Sequence, residues 1–352
     1  MILPDPARVG HVLIRANNWI GDVVMIGPAV RAVRRHFRQA RVAILAKEWV
    51  LEALRGSPDY DELIPFDDGG RHRGLRGRFR LGAELRQRRF EVAILFQKAF
   101  EAAALAFLGR VPIRIGYATD ARRALLTHPL PPPPPDMHHV DAFLAIARTL
   151  GCPVNDPTPS FHLEPEWESK ADALIRAAGF DGAAPIVALH PGASKVPRAW
   201  HPDRFSAVAA RLAAGAAARF VLIGGAADRD LFDAVAGTLP PGRVLRTGEL
   251  PLTVSAAILA RCHLFIGNDS GPMHLAAALG VPTVALFGPG SPRRTAPRGR
   301  GPVIALSRDY PCSPCRQDFF NECPPAPSGK PFCLEEIRVD EVLEAARTLI
   351  ST

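Results

Sequence analysis

The chain has very little lysine, and its positive charge comes almost entirely from arginine. Of the 43 basic residues in the 352-residue sequence, five are lysine: Lys47, Lys98, Lys170, Lys195 and Lys330. Because such a shortage reflects genome-wide composition as much as selection for charge, the net charge of +8 carries limited weight. A basic chain fits an anionic substrate, a membrane surface or nucleic acid, and its charge does not choose among them.

The sequence also lacks long apolar runs and the signals of an exported protein. No stretch approaches the roughly 18–20 apolar residues of a membrane helix. The segment Met1–Arg15 contains Asp5 and two prolines where a signal peptide would be apolar. We therefore expect a cytoplasmic protein, in which six cysteines do not make a disulfide framework. With 47% hydrophobic and 22% charged residues, the chain is not disordered.

Common nucleotide and nucleic-acid signatures are missing as well. The sequence contains neither the G-x-G-x-x-G fingerprint nor a Walker A motif. Aromatic residues make up only 7% and do not alternate with basic ones, which argues against binding of single-stranded nucleic acid. We expect no dinucleotide cofactor and no nucleic-acid partner.

Short apolar segments alternate with amphipathic ones in the first half, which predicts a parallel sheet covered by helices. The expected strands are His11–Ala16, Arg41–Ala46, Glu62–Phe66 and Glu91–Phe96. Loops are expected at Asn17–Gly27 and Asp67–Arg80, a stiff spacer at Pro129–Pro135, and helices at Pro28–Arg38, Leu81–Arg88, Ala99–Leu108 and Val140–Leu150.

A second cycle of the same kind fills the other half. Its expected strands are Ile186–His190, Arg219–Ile223, Leu264–Gly267 and Thr283–Phe287, and its helices Asp203–Ala214, Arg229–Ala236, Leu252–Arg261, Gly271–Leu279 and Glu335–Leu349. We predict an α/β protein of two Rossmann-like, doubly wound domains facing a central cleft. The expected divisions are an N-terminal domain over 1–165, a linker helix over 166–182, a C-terminal domain over 183–334 and a final helix over 335–352.

The loop after the first strand carries one carboxylate among apolar residues. Asp22 lies between Ile20 and the run Val23–Met25, at the end of the sheet where open parallel sheets bind ligands. A partly desolvated carboxylate there can act as a general base. A helix cap explains the same residue equally well.

Two loops of the second half predict an anion site. Gly267–His274 leads into a helix, where free N–H groups and the positive helix end suit a diphosphate. We expect Asp269 or Ser270 to cap that helix, Gly271 to admit a ligand, and His274 to be either a phosphate contact or a structural residue. The loop after His190 adds a hydroxyl and two cations, Ser194, Lys195 and Arg198, which fit phosphate unless the loop is simply solvated.

Two further features allow a metal but do not favour one. Asp228 and Asp230 open a helix, where capping or contact with a sugar hydroxyl explains them better than metal binding. Cys312 and Cys315 have zinc-like spacing, but Cys323 and Cys333 do not form a second close pair. Reduced or occasionally disulfide-forming cysteines are therefore favoured over a structural zinc held by all four.

Several motifs in the chain resemble those of the bacterial lipopolysaccharide heptosyltransferases, glycosyltransferase family 9. The likeness rests on Asn18–Asp22, on Gly116–Tyr117 with Arg122 and Arg123 downstream, on Pro191–Pro202, and on Gly267–His274. Their order and spacing cover nearly the whole chain. The Asn-Trp-Ile-Gly-Asp form is most similar to heptosyltransferase II.

The resemblance implies a GT-B fold, with the acceptor on the N-terminal domain and ADP-heptose on the C-terminal one. It implies an inverting transfer that needs no metal or other cofactor, with Asp22 as the base on the acceptor hydroxyl. Asp269, Ser270, Gly271 and His274 match the donor site, and Asp228 loosely matches a ribose contact. Arg198 stands where the family often has a lysine that neutralises the diphosphate, and Lys195 is the alternative for that role.

The implied acceptor is the anionic inner core of lipopolysaccharide, and the candidate contacts to its phosphates are Arg114, Arg122, Arg123 and the loop Arg71–Arg80. Such an acceptor also implies peripheral contact with the cytoplasmic face of the inner membrane. Two other functions stay open: a related GT-B transferase that uses another nucleotide sugar, and a non-catalytic nucleotide-binding module.

Overall fold

The computed structural model describes residues 3–350, apart from 181, 183, 313, 314, 316–318 and 322. The chain forms two compact units, Met1–Pro159 and Ser160–Thr352. The helix expected as a linker is Pro165–Ala177, and it packs on helix Leu252–Leu259 of the second unit. The expected start of the second domain, residue 183, lies outside the described residues. Across the described residues, we find no helix with the length and apolar character needed to span a bilayer.

The first unit has one sheet of six parallel strands in the order β3-β2-β1-β4-β5-β6. The strands are β1 (His11–Arg15), β2 (Arg41–Lys47), β3 (Glu62–Phe66), β4 (Val92–Leu95), β5 (Ile113–Tyr117) and β6 (His128–Leu130). The helices are α1 (Ile20–His36), α2 (Glu48–Leu51), α3 (Gly74–Gln87), α4 (Phe100–Leu108) and α5 (His139–Thr149).

The second unit repeats this arrangement, with the order β12-β11-β10-β7-β8-β9 and all strands parallel. Its strands are β7 (Ile186–His190), β8 (Arg219–Leu222), β9 (Val244–Arg246), β10 (Leu264–Asn268), β11 (Thr283–Leu286) and β12 (Val303–Leu306). Its helices are α6 (Pro165–Ala177), α7 (Pro202–Ala216), α8 (Arg229–Ala236), α9 (Leu252–Leu259), α10 (Gly271–Ala278), α11 (Pro292–Thr295), α12 (Phe332–Glu335) and α13 (Val339–Ile350).

Each sheet is stabilised by its apolar strands, which are buried on both faces. Every residue of β4 and β7 is buried, as parallel strands under two helix layers require. In each unit the first and fourth strands lie side by side, where the order of the strands reverses. The prediction of two doubly wound, Rossmann-like domains is confirmed, and ligands of such sheets bind at the reversal, beside the carboxyl ends of these strands.

Two expected loops are wrong, because each of them contains the start of a helix. Helix α1 begins at Ile20 instead of Pro28, because residues 23–26 are buried and their packing outweighs the cost of a proline inside the helix. Helix α3 begins at Gly74, inside the expected loop Asp67–Arg80. Leu81 and Leu85 anchor it in the core, and the leucine and arginine residues before them favour a helix and extend it by two turns although they are mostly exposed. Asp22 therefore lies in the first turn of a helix.

Four short strands were not expected: β5, β6, β9 and β12. Three of them lie at sheet edges and have three or four residues. β6 and β9 are three residues long and each includes a basic side chain, so they do not stand out as apolar runs. β12 is the apolar run Val303–Leu306, and sequence analysis missed it although its composition is that of a strand. Edge position also explains how Pro129 is accommodated in β6. The last helix is shorter than expected, because Phe332–Glu335 forms the separate helix α12 and α13 begins at Val339.

Candidate active site

The candidate donor site starts where strands β7 and β10 are paired. Gly267 of β10 is opposite His190 of β7, so the loops that follow both begin at the carboxyl end of the strands. This is the reversal point in the strand order of the second unit. The loop after β8, which pairs with β7 on its other side, begins at the same end.

Asn268 ties the loop after β7 to the end of β10. Its fully buried side chain accepts a hydrogen bond from the Trp200 N–H at 2.9 Å. Its amide donates to the carbonyl oxygens of Pro191 and Gly192, both at 3.0 Å. Because these bonds satisfy backbone groups at both ends of the loop, they fix its path beside β10.

Arg198 and Asp269 form an ion pair at the carboxyl end of these strands. The Arg198 Nη2 donates to the Asp269 Oδ2 at 2.6 Å and to the Asp269 carbonyl oxygen at 2.9 Å. The Asp269 side chain is 9% exposed and that of Arg198 is 20% exposed. The Asp269 carboxylate therefore faces a cation, which removes the repulsion that an unpaired acid would exert on a diphosphate.

Two lysines bring further positive charge to this loop, Lys195 within it and Lys330 from a later segment. Ser194 and Lys195 are exposed. The Lys195 Nζ lies 5.4 Å from the centre of the Phe319 ring. The Lys330 Nζ donates to the Val196 carbonyl oxygen at 3.0 Å. Lys195 is thus the more accessible cation of the loop, whereas Arg198 is held by Asp269.

Helix α10 begins with its first N–H groups uncapped by a side chain. Ser270 is the N-cap residue, which was one of the two expected, but its hydroxyl donates to the Asn268 carbonyl oxygen at 3.0 Å and makes no capping hydrogen bond. Gly271 opens the helix, and His274 is buried one turn further. Because Pro272 has no N–H, the helix start can offer the N–H groups of Gly271 and Met273 to an anion.

Asp228 is held by the loop after β8. Its Oδ2 accepts a hydrogen bond from the Gly225 N–H at 2.9 Å, so this carboxylate caps the turn before α8. A Cβ at Gly192 or Gly224 would lie 2.3 Å from its oxygens, so the close approach requires glycine at both positions. The buried His190 lies nearby, and burial lowers the pKa of its imidazole although the Ile223 carbonyl and Asp228 oppose that shift.

Asp22 lies in the first turn of α1, next to a histidine that sequence analysis did not select. Its Oδ1 is 3.8 Å from the His139 Nδ1, and the two side chains are 19% and 24% exposed. The contact forms because α1 packs on α5. The His139 Nε2 is buried with no hydrogen-bond partner in the described part of the chain. Asp22 is thus a partly shielded carboxylate with an imidazole beside it.

A buried arginine positions the loop before Asp22. Arg15, the last residue of β1, donates from Nη2 to the Asn18 Oδ1 at 3.0 Å and lies over the Phe66 ring. Burial lowers the pKa of its guanidinium to about 10, while Glu101 and Asp68 raise it. Arg15 therefore fixes the turn between β1 and α1.

The three arginines expected to contact the acceptor have different surroundings. Arg114 lies near the amino end of β5, the edge opposite the ligand side, and its Nε donates to the Leu125 carbonyl oxygen at 2.6 Å. Arg122 is fully buried and donates to the Tyr117 carbonyl oxygen at 2.8 Å, and burial lowers its pKa to about 10. Arg123 is exposed. The structure thus leaves Arg123 as the accessible cation of the three.

The cysteines near the end of the chain differ in their burial. Cys333 is buried, and Cys312, Cys315 and Cys323 are half-buried. Burial and the three other thiols raise the pKa of Cys333 to about 12. Within the described ranges, no group of three His, Cys, Asp or Glu side chains is placed to hold a metal ion. Both interpretations of the four cysteines stay predictions.

Three residues of these sites escaped selection from the sequence. Arg15 and Asn268 are the last residues of strands, where a polar side chain in a buried run is a usable signal. His139 lies beside Asp22 because α1 packs on α5, a helix far away in sequence, and no local sequence pattern predicts this contact.

Comparison with known proteins gives a consistent result for most of the chain. The model of the family "Glycosyltransferase family 9 (heptosyltransferase)" matches residues 78–322. The chain is 28% identical over 317 residues to lipopolysaccharide heptosyltransferase 2 of Salmonella typhimurium, covering 85% of this chain and 89% of that protein. It is 27% identical over 337 residues to lipopolysaccharide heptosyltransferase 1 of Pseudomonas aeruginosa, covering 92% and 91%.

Solved structures share the fold across nearly the whole length. ADP-heptose lipopolysaccharide heptosyltransferase II of E. coli superposes with a TM-score of 0.79 at 23% identity, covering 97% of this chain and 98% of that one. A family 9 glycosyl transferase of Veillonella parvula gives a TM-score of 0.83 at 22% identity, covering 99% of both chains.

Proposed function

Because the chain belongs to glycosyltransferase family 9, the heptosyltransferases, we propose that it transfers a heptose from ADP-heptose to the inner core of lipopolysaccharide. The observation that carries the proposal is the pairing of Arg198 with Asp269 beside the open start of α10, at the reversal point of the second sheet. That arrangement suits a diphosphate. The identity of the transferred sugar is inferred from the names of the similar proteins.

The donor half of the proposed mechanism concerns the leaving diphosphate. As the bond between the anomeric carbon and the diphosphate oxygen breaks, both bonding electrons stay with ADP. Lys195, Arg198 and the N–H groups at the start of α10 meet the charge that develops. Preorganised groups of this kind lower a barrier by several kcal/mol. Asp228, held by Gly225, is placed to accept a hydrogen bond from a donor hydroxyl.

The acceptor half assigns Asp22 as the general base. Its carboxylate takes the proton from the acceptor hydroxyl as the oxygen forms its bond to the anomeric carbon. Attack opposite the departing diphosphate inverts the configuration of that carbon. The His139 Nδ1 lies 3.8 Å from this carboxylate and limits the space around it.

The proposed acceptor is anionic and carries lipid, which places the reaction at the cytoplasmic face of the inner membrane. Arg123 is the predicted arginine that is accessible to acceptor phosphates. Arg114 and Arg122 support the same loop through their bonds to backbone carbonyls. We propose peripheral contact with the membrane surface.

The test is a transfer assay with paired donors. Purified protein is incubated with an inner-core acceptor and either ADP-heptose or a UDP-hexose, and the product is identified by mass spectrometry. We expect a heptose adduct, and calorimetry should show tighter binding of ADP-heptose than of the UDP-hexose. Tighter binding and transfer of the UDP-hexose would favour a related transferase. Binding of ADP without transfer from either donor would favour a nucleotide-binding module.

A further inference from the structure

Helix α3 has an outer face that is apolar although it faces solvent. Leu75 is 80% exposed and Phe79 is 61% exposed, and Ala83 continues the same stripe one turn further. Positions four residues apart lie above one another on a helix, so the three side chains form one line. Large apolar side chains grouped in this way usually mark an interaction site.

The opposite face of α3 is fixed to the first unit, so the stripe has a defined orientation. Leu81 and Leu85 are buried in the core. Arg78 forms an ion pair with Glu101 at 2.6 Å and lies over the Phe66 ring. Gly82 packs so closely on α4 that a Cβ there would lie 2.5 Å from the Leu108 Cβ. The helix is thus a firm base for the exposed side chains.

The stripe is surrounded by positive charge. Residues 71–89 contain eight arginines and one acid, Glu84, a net charge of +7 with histidine neutral. Glu84 forms an ion pair with Arg71 at 2.5 Å. The exposed arginines of the segment are Arg71, Arg73, Arg76, Arg80, Arg86, Arg88 and Arg89.

We propose that this face of α3, Leu75, Phe79 and Ala83 with the exposed arginines around them, docks the protein on an anionic lipid bilayer. Apolar side chains framed by arginine fit the boundary between headgroups and acyl chains, since the side chains leave water as the cations reach lipid phosphates. Nucleic acid would use the arginines but would leave the stripe in water. The inference deepens the proposed function, because a lipid-carrying acceptor is presented at such a surface.

The experiment measures flotation of the full chain with vesicles that contain neither donor nor acceptor. Vesicles of phosphatidylethanolamine with about 30% phosphatidylglycerol, which gives an anionic surface, are compared with vesicles of pure phosphatidylcholine. We expect binding to the anionic vesicles, weakened by salt. Leu75→Ser with Phe79→Ser should lower the partition coefficient roughly tenfold or more. Arg76→Gln with Arg80→Gln should lower it by a similar factor.

A matched control is Val196→Ser, which removes a 76% exposed apolar side chain next to Lys195 in the second unit and should leave flotation unchanged. Equal flotation of wild type and both α3 double variants would overturn the inference. So would equal binding to neutral vesicles, or capture by a DNA oligonucleotide in preference to anionic vesicles. Transfer to a water-soluble, deacylated acceptor is measured in parallel with Leu75→Ser/Phe79→Ser and should be unaffected. Loss of flotation thus tests the docking face, whereas absence of transfer in the wild type tests the proposed function.

Discussion

Replacing Arg198 by methionine separates its structural role from its proposed role in donor binding. In the folded protein Arg198 donates two hydrogen bonds to Asp269, whose side chain is 9% exposed. Arg198→Met leaves that carboxylate buried and unpaired. Removing one partner of a buried ion pair costs 3–5 kcal/mol, and because Arg198 is itself 20% exposed we expect about 3 kcal/mol. For a unit of this size the loss lowers the melting temperature by about 6–12 °C.

The matched variant Arg198→Met/Asp269→Asn removes the stranded charge. We expect it to recover at least about half of the lost stability, because a neutral amide is less costly to bury than an unpaired carboxylate. Urea unfolding followed by fluorescence reports on the second unit through the buried Trp167 and Trp200. Calorimetric titration with ADP should show affinity reduced roughly tenfold or more in both variants.

The reasoning is refuted by either of two results. If Arg198→Met costs less than about 1 kcal/mol, Asp269 does not depend on its cation as a buried carboxylate should. If ADP affinity recovers together with stability in the double variant, the guanidinium only supports Asp269 and does not bind the diphosphate.

Three further outcomes are expected. Because burial lowers the pKa of His190 below its ordinary 6.5, the unfolded chain binds a proton that the folded chain does not. The free energy of unfolding should therefore fall as pH drops below about 6.5, and His190→Asn should flatten that part of a denaturation series. Asn268→Ala should cost about 2–4 kcal/mol in urea unfolding, because the Trp200 N–H and two carbonyl oxygens lose their partner. EDTA should leave the transfer rate unchanged, and a rate that collapses and returns with Mg²⁺ would favour Asp228 and Asp230 as metal ligands.

The sheets could be predicted from the sequence, and some element starts could not. Apolar runs such as Val92–Leu95 identify buried parallel strands, because both faces need apolar side chains. The start of α1 was missed because Pro28 suggested a first turn, whereas burial of residues 23–26 decides where the helix begins. The edge strand Val303–Leu306 has the same apolar composition as Val92–Leu95 and was missed, whereas β6 and β9 are three residues long and each includes a basic side chain.

The candidate site divides in the same way. The order of strands and loops indicated that Asp22 follows a strand of the first sheet and that Arg198 and Asp269 follow strands of the second. Within each sheet, the carboxyl ends of parallel strands lie on the same side. The individual partners depend on packing across long sequence separations. Nothing near position 22 indicates that His139 would lie 3.8 Å from its carboxylate. Likewise, sequence analysis assigned Arg122 and Arg123 the same role as acceptor contacts, while the structure buries Arg122 and exposes Arg123.

Turnover by Asp22→Asn tests the central claim most directly. The amide keeps the size of the side chain and its place beside His139 but cannot take the acceptor proton. We predict that kcat for heptose transfer falls by roughly 10²–10⁴-fold, while calorimetric affinity for ADP stays within about twofold, since ADP binds the second unit in this account. Turnover within tenfold of the wild type, with folding unchanged by circular dichroism, would contradict a general base at this position.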